Sequence, residues 1–167
     1  MSAMFDQNLF AQSAEAIAAA SRVIYQRGWS PATSSNYSVR LDTNSCAVTV
    51  SGKHKGELTA DDVMVVDMEG RPLVDKKPSA ETLLHTQLYQ RDADIGAVLH
   101  THSVNATVLT MEQPSMDTLV LRGYELLKAF EGVKTHNTEM HIPVFENTQD
   151  MVELSRRVEK RMQREGT

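Results

Sequence analysis

The 167-residue sequence has one cysteine, few aromatic side chains and no long hydrophobic run. The single cysteine, Cys46, excludes an internal disulfide framework and favours a reducing compartment. It begins an apolar alternation, so we interpret it as a small strand residue. No apolar run approaches the roughly 18 residues that span a bilayer, and no signal-peptide pattern is found. We therefore expect a cytoplasmic protein with no membrane partner.

Positive charge is also limited. The chain has 17 lysine and arginine residues against 22 aspartate and glutamate residues, for a net charge of −5. No basic stripe is present, so we expect no nucleic-acid partner. The one basic cluster, between Arg156 and Arg164, is interleaved with glutamates and indicates a solvated helix face. A hydrophobic content of 41% over this length predicts a single globular domain, residues 1–167.

Hydrophobic periodicity predicts two helical layers around a mixed, largely antiparallel sheet. Ser79 is the expected N-cap of the second helix, and a loop containing Pro114 is expected before residue 118. The predicted helices cover residues 9–27, 78–89, 124–130 and 150–163. The predicted strands cover residues 37–41, 47–50, 64–66, 95–102, 118–121 and 141–145, with the first two forming a hairpin.

Two of the six histidines, His100 and His102, are two positions apart at the end of the apolar stretch 95–99. In a strand, side chains at this spacing point to the same face, roughly 6.6 Å apart. Both imidazoles can then reach one metal ion at about 2.0–2.1 Å. A structural role for the two histidines remains the alternative until other residues join them.

Two glutamates and three short polar loops are further candidates for a site. Glu81 is expected in the first turn of its helix, where backbone N–H groups favour an anion. Glu125 lies in the segment GYEL at residues 123–126. Each glutamate can also be interpreted as a simple surface charge, and each polar segment as a simple loop. Hydroxyls, amides and exposed N–H groups bind phosphate, and the loops offer them at Ser34, Ser35, Asn36, Ser51, Gly52 and Ser79.

Five segments in their order along the chain resemble the class II aldolase/adducin family. The similarity runs from about residue 9 to the C-terminus, and it is greatest to bacterial dehydratases that act on a methylthio-ketose phosphate. The segments are SSNYS at residues 34–38, VSGKHKG at 50–56, KPSAET at 77–82, LHTHS at 99–103 and GYELLK at 123–128.

The resemblance implies a three-layer α/β/α class II aldolase-like domain and a zinc-dependent lyase that removes water from a sugar phosphate. It implies that His100 and His102 are two of three ligands to one zinc ion per subunit. It also implies that the polar loops hold the substrate phosphate and that the protein forms homotetramers with sites near subunit interfaces. Glu125 matches the acid/base of the dehydratases, and Glu81 matches the catalytic glutamate of the aldolases.

One departure from the family pattern concerns the third zinc ligand. The family has this histidine in a later Gly-His-Gly strand motif, which the 167 residues do not contain. His136 and His141 occupy other parts of the pattern. We therefore expect a domain without the family's C-terminal strand and helix, as a shortened enzyme or an inactive remnant, with weak zinc binding and impaired activity. The alternatives are an aldolase or epimerase acting on another sugar phosphate, and a non-catalytic interaction module.

Overall fold

The computed structural model describes residues 5–112 and 115–165, so Pro114 lies outside the described part. These described residues form four α-helices, six strands and two short 3-10 helices, Ala60–Asp62 and Glu125–Ala129. The helices are α1 (Gln7–Gln26), α2 (Thr82–Arg91), α3 (Val104–Met111) and α4 (Met151–Glu165). The strands are β1 (Asn36–Arg40), β2 (Ser45–Thr49), β3 (Val63–Asp67), β4 (Ala97–His100), β5 (Thr118–Arg122) and β6 (Glu139–Pro143).

Four strands form the central sheet in the order β3-β2-β1-β4, and β5 pairs with β6 in a separate ribbon. The predicted hairpin is confirmed, because Val39 of β1 pairs with Ala47 of β2 in an antiparallel register. Every pair of strands among the described residues is antiparallel. The expected antiparallel character of the sheet is therefore confirmed.

Separate apolar clusters cover the two faces of the sheet, because alternate residues of a strand point to opposite sides. Ile17 of α1 packs on one face with Tyr37 and Val65, all three at most 2% exposed. Tyr89 of α2 packs on the other face with Cys46. Each fully buried side chain of this size contributes about 1.5–3 kcal/mol through removal from water. Helices on both faces confirm the three-layer α/β/α arrangement.

Cys46 is a fully buried residue of β2, as its position in the apolar alternation predicted. Burial raises the pKa of its thiol to about 12. Since only the thiolate is a good nucleophile, the side chain contributes packing and not chemistry at neutral pH.

Two local expectations differ from the structure. Helix α2 begins at Thr82, so Glu81 and not Ser79 occupies the N-cap position. The reason is a bridge between Val50 and Pro78, which holds the segment before the helix extended.

Helix α3 lies where the sequence predicted a loop. Its eight residues are rich in β-branched side chains. Only the N-cap Ser103, whose Oγ accepts from the N–H of Ala106 at 3.4 Å, marks its start.

Helix α4 lies beside α2, where Arg91 forms an ion pair with Glu159 at 3.1 Å. Within residues 5–112 and 115–165, no helix combines the length and apolar character required to cross a membrane.

Candidate active site

A cleft of about 290 Å³ opens where three polar loops meet at one end of the central sheet. The loops precede β1, follow β2 and precede α2, so the antiparallel pairing brings segments from residues 33–81 to one place. The structure thereby gathers most of the predicted site residues. The lining side chains are Thr33, Ser34, Ser35, Val50, Ser51, Gly52, Lys55, Ser79, Ala80, Glu81 and His102.

The loop before β1 is held in an unusual backbone conformation. Ser35 has a φ of 75°, in the left-handed region that a non-glycine residue seldom adopts. Such a conformation typically costs about 1–3 kcal/mol and requires support from its surroundings. Ser30 donates to Ser35 Oγ at 2.8 Å, and Ser34 Oγ donates to the carbonyl of Pro31 at 2.6 Å. These bonds hold the serines at the cleft wall.

The other two loops are joined to each other across the cleft floor. The N–H of Ser51 donates to the carbonyl of Lys77 at 3.0 Å. Gly52 has a φ of 76°, which glycine adopts without a steric penalty. Ser79 Oγ donates to Glu81 Oε2 at 3.3 Å, so this serine contacts the candidate carboxylate directly.

Lys55 also lines the cleft, and the sequence analysis did not assign it to the site. The residue is 2% exposed, and Nζ donates to the carbonyls of Thr33 at 3.0 Å and Lys53 at 2.9 Å. Burial lowers the pKa of its ammonium group, while the negative charges of Glu81 and Asp62 oppose that shift. In the sequence, Lys55 lies in a glycine-flanked polar loop, a pattern that usually indicates solvent exposure and not a buried site residue.

Asn36 joins the candidate carboxylate to the histidine pair. Its Nδ2 donates to Glu81 Oε2 at 2.5 Å and lies 3.1 Å from Nδ1 of His100. The residue is 1% exposed, and its buried Oδ1 has no hydrogen-bond partner among the described residues. Asn36 thus contacts Glu81 and His100, whereas the sequence analysis placed it among the phosphate-binding residues.

His100 and His102 lie side by side, with ring centroids 4.7 Å apart. Strand β4 ends at His100, and the backbone N–H of His102 donates to the carbonyl of Trp29 at 2.7 Å, which positions the second histidine beyond the strand. Burial lowers the pKa of His100, with an opposing effect of Glu81. The neutral imidazole, which is the form that binds metal ions, is therefore favoured.

The paired imidazoles fit two positions of a zinc site, since zinc in proteins prefers nitrogen and sulfur donors. Within the part of the chain that the structure describes, no group of three histidine, cysteine, aspartate or glutamate side chains is arranged to hold a metal ion. The described residues thus bring two imidazole rings together without a complete set of metal ligands.

A buried polar network lies under the sheet near His100. Ser38 Oγ is 2.7 Å from Nδ1 of His85 and 2.8 Å from the hydroxyl of Tyr89. Burial lowers the pKa of His85 to about 4, with a smaller effect of His100, and burial raises the pKa of Tyr89 to about 12. Both groups are neutral at pH 7 and fill the space between β1 and α2.

Glu125 lies away from this cleft. It begins the 3-10 helix Glu125–Ala129, and its side chain is 70% exposed. Its carboxylate pairs with Lys128 and with Nδ1 of His136 at 2.9 Å. The structure therefore brings Glu81 to the other predicted site residues and leaves Glu125 on a separate surface of the same chain.

A family model of the class II aldolase and adducin N-terminal domain matches residues 15–167. The chain belongs to this family. The methylthioribulose-1-phosphate dehydratase of Alcanivorax borkumensis is 55% identical over 158 residues, or 95% of this chain and 74% of that protein. The protein of the same name from Marinobacter nauticus is 56% identical over 153 residues, or 91% of this chain and 74% of that protein.

Solved structures agree at the level of the fold. The L-fuculose-1-phosphate aldolase of Thermus thermophilus superposes with a TM-score of 0.64 and 24% identity, covering 87% of this chain and 70% of that chain. The expected membership of the class II aldolase/adducin family and the expected similarity to its dehydratases are both confirmed.

Proposed function

We propose that the chain is a hydro-lyase that removes water from 5-methylthioribulose 1-phosphate. The product is 2,3-diketo-5-methylthiopentyl 1-phosphate, and the proposed setting is methionine salvage in the cytoplasm. The observation that carries the proposal is the cleft, in which Glu81 and His102 lie beside serine-rich loops. The names of the relatives at 55–56% identity support the choice of substrate, and the single free cysteine is in keeping with the compartment.

The proposed phosphate site is the wall formed by the polar loops. Hydroxyls and backbone N–H groups bind a phosphate without bulk, and glycine allows close approach of the backbone. The proposed residues are Ser34, Ser35, Ser51, Gly52 and Ser79, with Asn36 as the sixth member of the set predicted from the sequence. Contacts of Asn36 with Glu81 and His100 favour a positioning role for it over a phosphate contact.

The proposed metal is zinc, held by His100 and His102 together with a third ligand that the described residues do not bring to the pair. When bound, zinc supplies a Lewis acid that stabilises negative charge developing on the substrate's carbonyl oxygen. The ring separation of 4.7 Å and the neutral state favoured by burial of His100 support this pair as ligands.

Proton transfer is the role proposed for the glutamates. Dehydration requires a base that removes the proton from the carbon next to the ketone and an acid that protonates the departing hydroxyl. The resulting enol rearranges to the diketone. Glu81 can serve in the cleft of its own chain, where Asn36 and Ser79 donate to its Oε2 and hold the carboxylate in place.

Glu125 is proposed to act in the cleft of a neighbouring subunit of a homotetramer. An exposed apolar surface beside Glu125 supports an association, since large exposed apolar side chains mark interaction surfaces. Tyr124 and Leu126, on either side of the glutamate, are 60% and 80% exposed. In such a shared site, the Glu125 carboxylate of one subunit would lie at the cleft of its neighbour.

The direct test is incubation of the zinc-supplemented chain with 5-methylthioribulose 1-phosphate, with the product identified by mass spectrometry. We expect loss of one water. Glu81→Gln should lower kcat by about 10²–10⁴-fold with unchanged zinc content. The matched control is Glu57→Gln, an exposed glutamate outside the cleft, which should retain the parent rate. No water loss by the parent chain would contradict the proposal.

Two further measurements separate the alternatives. Release of a shorter ketose phosphate or an aldehyde, in place of water loss, would indicate an aldolase, and no turnover with intact assembly would indicate a non-catalytic module. A co-expressed mixture of Glu81→Gln and Glu125→Gln chains tests the shared site. Partial recovery of activity in mixed oligomers is expected, because one cleft then has both glutamates. No recovery would contradict the shared site, and full activity of Glu125→Gln by itself would place Glu125 outside the reaction.

A further inference from the structure

We infer that Lys55 is the positioning cation of the cleft: its buried ammonium group joins two of the loops and supplies the positive charge that an anionic ligand requires. This inference rests on the proposed phosphate recognition and adds a residue that neither the polar-loop pattern nor the histidine motif includes. The ligand class is a phosphate or phosphate ester.

The first observation is the position of the side chain between two loops. Lys55 Nζ donates to the carbonyl of Thr33, and the backbone N–H of Lys55 donates to the carbonyl of Ala32 at 2.9 Å. The carbonyl of Lys55 in turn accepts from Ser21 Oγ of α1 at 2.7 Å. The residue therefore ties the loop before β1 to the loop after β2, and both loops line the cleft.

The second observation is the charge balance of this ammonium group. Both acceptors of Nζ are neutral carbonyls, and none of the ion pairs found among the described residues includes Lys55. The nearby Asp62 is already paired with Lys53 at 2.9 Å. Glu81 and Asp62 both act on this ammonium group through their negative charge, without an ion pair to it among the described residues. A buried cation without a directly paired anion is costly, so a bound anion would relieve that cost.

The third observation is the access of the ligand. Lys55 is 2% exposed over the whole residue and yet forms part of the cleft wall, together with Ser51 and Gly52 of its own loop. An anion in the cleft thus enters a region with hydroxyl donors at its surface and a positive charge behind them. A neutral sugar would gain nothing from this charge.

The test uses inorganic phosphate as the probe and compares Lys55→Met with Lys53→Met. Both variants remove one positive charge from the same loop, and Lys53 is half exposed, outside the cleft lining. Titration calorimetry of the folded chains should show phosphate binding weakened by about tenfold or more in Lys55→Met, because a desolvated charge is lost. Lys53→Met should remain within about twofold of the parent, because exposed charges contribute little.

A second pair of variants separates charge from loop support. Lys55→Arg keeps the charge and should recover part of the phosphate affinity, while Lys55→Gln keeps a donor without the charge and should not. In turnover assays the loss should fall on KM for the phosphate ester more than on kcat. A variant that merely loosened the fold would show a lower melting temperature without this dependence on charge.

The outcomes distinguish this inference from the proposed function. Phosphate binding by Lys55→Met at the parent's affinity, or no phosphate binding by the parent chain, would overturn the role of Lys55. Phosphate binding that depends on Lys55, in a chain that removes no water from the ketose phosphate, would overturn the proposed reaction and leave the role of Lys55 intact.

Discussion

Asn36 donates from Nδ2 to Glu81 Oε2 at 2.5 Å and thereby connects the first residue of β1 to the N-cap of α2. The same nitrogen is 3.1 Å from Nδ1 of His100, which pairs with Asn36 across the sheet. One amide thus orients both the candidate base and a candidate metal ligand. Partners of this kind fix the orientation of the groups that perform the chemistry.

Replacement of Asn36 is expected to impair the site more than the fold. Asn36→Ala should lower kcat/KM or zinc affinity by about 10–100-fold, because Glu81 and His100 lose the group that orients them. Enzyme kinetics and metal analysis of the purified variant measure both effects. Asn44→Ala, in the exposed turn between β1 and β2, is the control and should match the parent. Equal values for Asn36→Ala and the parent would show that the amide has no such role.

Zinc content should depend on both histidines of the pair. Metal analysis after dialysis is expected to show that His100→Ala and His102→Ala each lose most of the zinc that the parent retains, because each removes one of two convergent donors. His141→Ala is the matched control, since His141 is an exposed histidine of β6 that pairs with Glu139. Retention of the parent's zinc by either variant of the pair would exclude that histidine as a ligand.

Stability should fall as the pH decreases from about 6.5 toward 4, and His85 is one cause. Its pKa is lowered from 6.5 to about 4 in the folded protein, so the unfolded chain binds the proton more readily in this interval. Stability from this group is complete above pH 6.5 and is lost as the pH falls, by about 3 kcal/mol at most. Urea unfolding at pH 7 and pH 5 measures the loss.

The control for this pH dependence is a variant without the titrating ring. His85→Asn keeps an acceptor for Ser38 and should have lower stability at pH 7 but a smaller decrease between pH 7 and pH 5. His141→Asn, at an exposed position, should show the parent's decrease. An identical decrease in His85→Asn and the parent would assign the effect to other groups.

Gly56 should not tolerate a side chain. A Cβ at this position would lie 2.5 Å from Cδ1 of Tyr25, which packs on the loop that contains Lys55. Gly56→Ala is expected to cost about 1–3 kcal/mol through the forced displacement of the ring, which corresponds to a decrease in Tm of about 2–4 °C per kcal/mol. Gly96→Ala, where a Cβ meets no atom within 4 Å, should change Tm little. Equal thermal melts of the two variants would contradict the steric argument.

The elements that the sequence predicted well are those with a strong apolar period. The stripe of α1 and the apolar residues of β1 to β3 mark segments that the fold buries, with β2 and β3 buried on both faces, because burial of apolar surface is the main stabilising term. Helix α3 was missed because its eight residues have no such period, and none of them is buried. The start of α2 was placed too early because the bridge between Val50 and Pro78 is a tertiary contact.

The sequence by itself determined the family, the histidine pair and the polar loops, because residue type and order carry that information locally. Only the tertiary structure decided which of these groups meet. Residues from 33 to 102 converge in one cleft because antiparallel pairing joins distant segments. The fold buries Lys55 in the wall of that cleft and leaves Glu125 on another surface. Neither position can be read from the local sequence, because the position of a side chain depends on packing that spans the whole chain.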